Sequence, residues 1–221
     1  MTQSSSRGWT IAGLVLALLA IPAVTLFSRE FAPDPGASSA IIIRELAILG
    51  CVAVLIWIVR ARELLPLSSI GFRTEHVGRS LAWGVGLAVV CFAVLLACLT
   101  GFAQFGIRYG EGPAIARSVP VIVLTVMRAG IAEEVFYRGF ALERLEAWTG
   151  SKWIAAAVTL VIFAGFHFRQ GWPGVFLAFI LGAVLTAFYV WKRDLIAAMF
   201  GHFLIDFIPN VVLPLFAGDS N

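Results

Sequence analysis

The sequence predicts an all-α protein: a polytopic bundle of about seven transmembrane helices with a cytoplasmic N-terminus. Three observations predict it. The 221-residue chain is 60% hydrophobic and only 13% charged, with a mean hydropathy of +0.94, whereas soluble domains are nearer half apolar and a quarter charged. The apolar residues gather into runs long enough to cross a bilayer. The loop cations are also biased to one side. A single membrane domain over 1–221 is the simplest organisation, and no internal period marks repeats.

The runs fall at about 9–28, 40–59, 81–104, 118–141, 153–168, 173–191 and 195–216. The first follows Arg7 and is too long for the apolar core of a secretory signal, so it reads as a retained span. Residues 32–39 form a turn-rich connector holding Pro33, Pro35 and Gly36. The fourth run continues into a polar, helix-favouring segment ending at Trp148, and the fifth is short. With the N-terminus inside, ten cations lie on or near the inner side, against Arg29, Arg108, Arg117 and Arg169 outside. Arg44 and Arg128 lie within spans. Arg44 is near a helix end and can snorkel, whereas Arg128 is about ten residues into its span and cannot easily do so.

A net charge of +3, spread over several loops, points to no nucleic-acid partner. Cys51, Cys91 and Cys98 all fall in apolar spans, where packing explains them and a disulfide framework is not expected. Trp9, Trp83, Trp153, Trp172 and Trp191 fall near span ends and read as an interfacial belt.

Against this apolar background, Glu133-Glu134-Val-Phe-Tyr-Arg138 stands out. Adjacent carboxylates inside a span are costly and persist when paired, neutralised or needed. Glu134 and Arg138 are four apart with the acid N-terminal, the favourable order for a helical ion pair. They are assigned to structure, and Glu133 to chemistry. A purely structural ion-pair cluster is the competing reading. Tyr137, on the face of Glu133, and Phe163 are possible substrate contacts.

The fourth and fifth spans form a hairpin turning near Gly150. Glu133 lies 150 − 133 = 17 residues before that turn and His167 lies 167 − 150 = 17 after it. At the helical rise both sit ~26 Å from the turn, so they are level on neighbouring helices, moderately deep from the cytoplasmic side. His202 and Asp206 share a face of the last span. Counted from Arg193, however, His202 is only nine residues in, or ~14 Å, which is shallower than His167. Tilt, a protruding hairpin, or kinks at Pro173 and Pro209 are the available ways to close that gap.

Taken in order, Glu133-Glu134-x-x-x-Arg138, Phe163-x-x-x-His167 and His202-x-x-x-Asp206 resemble the CAAX protease and bacteriocin-processing family of intramembrane endopeptidases. That family includes the type II CAAX prenyl endopeptidases and the bacterial Abi proteins. The resemblance covers about 118–216, the expected catalytic core. It implies that Glu133 activates water, that His167 holds or deprotonates it, and that His202 and Asp206 stabilise the oxyanion. The family commonly has Asn where this chain has Asp206. An ionised Asp cannot donate a hydrogen bond, so Asp206 either is protonated or orients His202.

Glu133, His167, His202 and Asp206 are also a chemically plausible zinc set, but no His-Glu-x-x-His motif is present. The resemblance implies a glutamic mechanism with no cofactor, zinc being the alternative. Bland readings exist for each residue: helix packing for His167 and His202, solvated surface for His76, and structural pairing with Glu45 or Asp206 for Arg128. Arg128 could instead bind a substrate's terminal carboxylate.

The expected function is hydrolysis of a peptide bond near the membrane surface. The protein is expected in the cell (inner or plasma) membrane, with the bilayer and a membrane-anchored, lipidated or leader peptide as partners. A non-enzymatic immunity or scaffold protein, or a proton relay in a transporter, is the alternative. A transporter would show interrupted helices in both halves, and only one half carries the motifs.

Overall fold

The computed structural model describes residues 3–109 and 118–217; Arg117, counted above among the outer cations, lies outside them. Among the described residues, seven long helices make up the bundle. They are α1 (Gln3–Phe31), α2 (38–62), α3 (Val77–Gln104), α4 (119–149), α5 (Lys152–Gly165), α6 (Gly171–Lys192) and α7 (195–217). Short 3₁₀ turns at Leu67–Ile70 and Phe168–Gln170 punctuate the connections. The molecule is a multi-pass helical membrane protein, and each expected span has its helix.

Among the described residues, five segments are long and apolar enough to cross a membrane: Arg7–Phe31, Ser38–Arg62, Val77–Gln104, Phe168–Lys192 and Leu195–Phe216. The other two helices differ for reasons that concern the site. Helix α4 carries Arg128, Glu133 and Glu134 within its apolar stretch. Helix α5 has 14 residues, or ~21 Å, well short of a ~30 Å hydrocarbon core. Its chain therefore leaves the helix at membrane depth, where irregular backbone is tolerated only if it is buried or lines a cavity.

Helix α4 is α-helical over Val119–Arg128 and again over Glu143–Thr149, but wider between them. Over Ala129–Leu142 the backbone follows the π pattern of i→i+5 hydrogen bonds. This wide stretch is the most deeply packed part of the protein: of its 14 residues, all but Ile131 and Glu133 are buried. Helix α4 ends at Gly150, whose left-handed φ of 68° suits a residue without a Cβ. Ser151 caps α5 by accepting from the Ile154 amide.

Helix α7 packs closely on α3 and on the wide stretch of α4, and glycines allow it. A Cβ on Gly130 would stand 3.0 Å from the carbonyl oxygen of Met199 and the amide nitrogen of Phe203. A Cβ on Gly84 would stand 2.9 Å from the Ala197 carbonyl. Small residues at such crossings let backbones approach, as in other membrane bundles. Pro209 coincides with a π turn over Ile208–Val212, whereas Pro173 sits in the opening turn of α6 and kinks nothing. Trp83, Trp153, Trp172 and Trp191 are exposed, in keeping with an interfacial belt.

Candidate active site

The gap in depth between His202 and His167 disappears because the hairpin of α4 and α5 overshoots the next loop. Arg193 pairs with Glu143 at 2.7 Å and with Glu146 at 2.5 Å; it does not stand level with Gly150. Arg193 to His202 is nine residues, and Glu143 back to Glu134 is also nine. The two helices therefore run in register, and His202 arrives beside the glutamate pair ~14 Å from Arg193, about halfway through a ~30 Å core. Of the three ways to close the gap, the protruding hairpin is the one the structure uses.

Glu134 and Arg138 form the expected ion pair, at 2.9 Å, with both side chains essentially inaccessible. Arg138 is anchored further by Thr186 Oγ1 at 3.3 Å and the Gly182 carbonyl at 3.2 Å, both on α6, and its guanidinium lies over the Phe163 ring. The pair thus ties α4 to α5 and α6. Glu134 also has a partner that helical spacing does not reveal: His202 Nδ1 donates to its Oε1 at 2.7 Å. The other Glu134 oxygen has no partner.

Glu133 is oriented differently. Its Oε1 accepts from Arg128 Nη1 at 2.9 Å, and its Oε2 stands 4.0 Å from His202 Nε2. Arg128 also donates through Nε to Glu45 Oε2. Of the two pairings weighed for Arg128, Glu45 is the one formed, and Glu133 is an additional partner. In an ideal α-helix residues five apart diverge by ~140°; the i→i+5 winding that begins at Ala129 brings Arg128 and Glu133 to one side.

His167 lies beyond the end of α5, in the turn that the short helix leaves at membrane depth. Its Nδ1 is 2.9 Å from the Phe163 carbonyl oxygen. A carbonyl only accepts, so Nδ1 carries the hydrogen, and in that tautomer Nε2 is the nitrogen with the lone pair. Asp206 Oδ2 is 3.6 Å from His202 Nε2, and the Asp206 backbone carbonyl accepts from Asn210 Nδ2 at 2.8 Å.

A cavity of about 610 Å³ joins these groups. Glu133, His167, His202, Asp206, Arg128 and Phe163 all line it, so the residues singled out on α4, at the end of α5 and on α7 converge. Apolar side chains of α3 and α6, such as Leu95 and Leu181, complete the wall. Its far end, remote from the Gly150 turn, is marked by Tyr109 and Gln170, joined by a 3.0 Å hydrogen bond. Tyr137 is not part of the lining: it is 2% exposed and packs edge-on against Phe163, so it supports the wall without reaching the cavity. Sequence reasoning missed Asn210, Gln170 and Tyr109, which are polar residues without a motif.

Among the described residues, no group of three His, Cys, Asp or Glu side chains is gathered as metal ligands would be. Two candidate donor atoms are engaged elsewhere: His202 Nδ1 on Glu134 and Glu133 Oε1 on Arg128. The four residues named as a possible zinc set thus share a cavity without forming a ligand sphere.

Residues 115–208 match the profile of the Rce1-like family of type II CAAX prenyl endopeptidases. That stretch holds Glu133, Glu134, Arg138, His167, His202 and Asp206, so the resemblance carried by the three motifs is borne out where they lie. Over 135 residues the chain is 27% identical to the uncharacterized protein YpbD of Bacillus subtilis (strain 168). The match covers 58% of this chain and 66% of that protein, just under two thirds of its length. No solved structure matches the chain significantly.

Proposed function

We propose that this Rce1-like chain is an intramembrane endopeptidase that hydrolyses a peptide bond of a membrane-anchored, lipidated or leader peptide. The observation that carries this reading is the convergence of Glu133, His167 and His202 on one cavity from three separate segments. A motif kept for packing has no need of a shared cavity with its polar atoms turned into it.

In this reading Glu133 is the general base. Its Oε1 is held by Arg128, which leaves Oε2 for water. The 4.0 Å between Oε2 and His202 Nε2 is too long for a direct hydrogen bond and suits a bridging water. The Nε2 lone pair of His167 is a second acceptor for that water. Attack by the water oxygen on the scissile carbonyl carbon passes its proton to Glu133. The carbonyl oxygen becomes an oxyanion, which His202 meets as a donor from Nε2 when its ring is protonated on both nitrogens. Collapse of this intermediate breaks the C–N bond, and Glu133 returns the proton to the departing amine. Asp206 acts at the same place, either as a protonated donor or by orienting His202. The mechanism uses no metal or other cofactor.

The test is Glu133→Gln in purified, lipid-reconstituted protein, assayed against a panel of membrane-anchored peptides that the wild type cleaves. The amide still accepts from Arg128, so the fold is kept, but basicity is lost. Cleavage is expected to fall by ~10²–10⁴-fold. Near-wild-type cleavage would remove Glu133 from the chemistry.

A further inference from the structure

Glu45, on α2, is 0% exposed and lies outside the stretch that matches the endopeptidase family. A fully buried carboxylate on a membrane helix calls for a reason. Its two oxygens are both used. Oε1 accepts from Arg44, through Nε at 2.9 Å and through Nη2, and Oε2 accepts from Arg128 Nε. Arg128 then reaches Glu133 through Nη1. Four charged groups thus alternate in sign from Arg44 to Glu133, and their formal charges sum to zero.

We propose that Glu45 is a positioning residue for the general base, acting on Glu133 through Arg128; this rests on the endopeptidase reading given above. Two consequences of the geometry carry the proposal. The first is orientation. Arg128 holds Oε1 of Glu133, so the carboxylate cannot rotate freely and Oε2 stays turned toward His202. Arg128 can do this only if its own guanidinium is fixed, and Glu45 fixes it from the neighbouring helix.

The second consequence concerns charge. A guanidinium bound to a general base stabilises the carboxylate as an anion and weakens its pull on a proton. Glu45 takes up part of that positive charge, so Arg128 orients Glu133 without holding it as a tight, exclusive ion pair. The remaining charged or titratable groups around Glu133 are Glu134, Tyr137 and Arg138 on its own helix, His202 and Asp206 on α7, and His167 after α5. None of them bonds to Arg128. With two carboxylates on it, Arg128 is committed, which argues against its use for a substrate's terminal carboxylate.

The experiment compares Glu45→Gln, Arg128→Gln and the double variant on a peptide cleaved by the wild type, with kcat and KM read separately and folding checked by thermal melting. Glu45→Gln leaves Arg128 with Glu133 as its only carboxylate; kcat is expected to fall on the order of tenfold with KM little changed. Glu45→Asp, which keeps the charge, is expected to recover much of that loss. In the double variant the effect of Glu45→Gln should vanish, giving the kcat of Arg128→Gln alone, because residues that act through one another are not additive. Multiplicative losses in the double variant, or an effect on KM alone, overturn the proposal. If Glu45→Gln does not fold, the double variant against Arg128→Gln still decides, because equal kcat values support the proposal and a further loss overturns it. A wild-type chain with no peptidase activity removes the protease reading and this role with it. An active wild type whose Glu45→Gln variant is unaffected removes this role alone.

Discussion

His202 Nδ1 donates to Glu134 Oε1 at 2.7 Å, across the α4–α7 interface and within a fully buried ion-pair network. The glutamate that helical spacing assigns to structure therefore also orients the histidine that faces the cavity. One oxygen serves both Arg138 and His202, so stability and geometry of the site depend on the same atom.

Glu134→Gln is accordingly expected to lower two quantities. Folded yield falls because Arg138 loses its charge partner, at a cost of roughly 3–5 kcal/mol for a broken buried pair. Turnover per folded molecule also falls, on the order of tenfold or more, by analogy with carboxylates that orient a catalytic imidazole. Arg138→Ala should share the first loss and show less of the second. Size-exclusion yield and active-fraction kinetics on both proteins separate the effects. Normal turnover in folded Glu134→Gln would mean that the His202 bond has no catalytic role.

Asp206→Asn is expected to retain activity. The side chain is 34% exposed and stands 3.6 Å from His202 Nε2, so an amide fits without repacking. If Asp206 serves as an oxyanion donor, Asn donates at every pH, and a donor there is worth ~10²–10³-fold. The wild type would then lose activity as pH rises and the Asn variant would not. If Asn abolishes turnover with the fold intact, the carboxylate acts as an anion on His202. A pH–rate profile of the two proteins on one peptide distinguishes these roles.

Gly130→Ala is expected to destabilise the protein. Its new Cβ would meet backbone atoms of Met199 and Phe203 at 3.0 Å, and backbone cannot move aside as a flexible side chain can. Overpacking of this kind costs ~1–3 kcal/mol and would push α7, with His202, away from Glu134. Gly86→Ala on α3 is the control: nothing lies within 4 Å of its Cβ, and helix propensity favours Ala by roughly 1 kcal/mol. Melting temperatures in detergent should move in opposite directions. A stable, active Gly130→Ala protein would show that the two helices have room to part.

Peptidase activity is expected to survive metal chelators. The motive is the commitment of His202 Nδ1 and Glu133 Oε1 to Glu134 and Arg128, which leaves no ready ligand sphere. Loss of activity on chelation with rescue by zinc, together with stoichiometric zinc in the purified protein, would favour the metal reading.

The sequence by itself determined the number and order of the helices, the turn at Gly150 and the Glu134–Arg138 pair. These follow from apolar run length and from i,i+4 spacing, which are local properties of one chain segment. It also placed Glu133, His167, His202 and Asp206 on the motifs that share the cavity. Only the tertiary structure decided that Glu134 reaches His202, that Arg128 is divided between Glu45 and Glu133, and that Tyr137 lies behind Phe163. Contacts between helices depend on how far each helix slides and how it is turned about its axis. The slide is set by the overshooting hairpin, read through Arg193 on Glu143 and Glu146, and the approach by Gly130 against the backbone of α7. The turn is set by the wide winding of Ala129–Leu142, which keeps near neighbours such as Glu134 and Arg138 together but rotates the later residues relative to those before Ala129, away from the faces that a 3.6-residue period assigns. None of these quantities is written in the periodicity of a single helix.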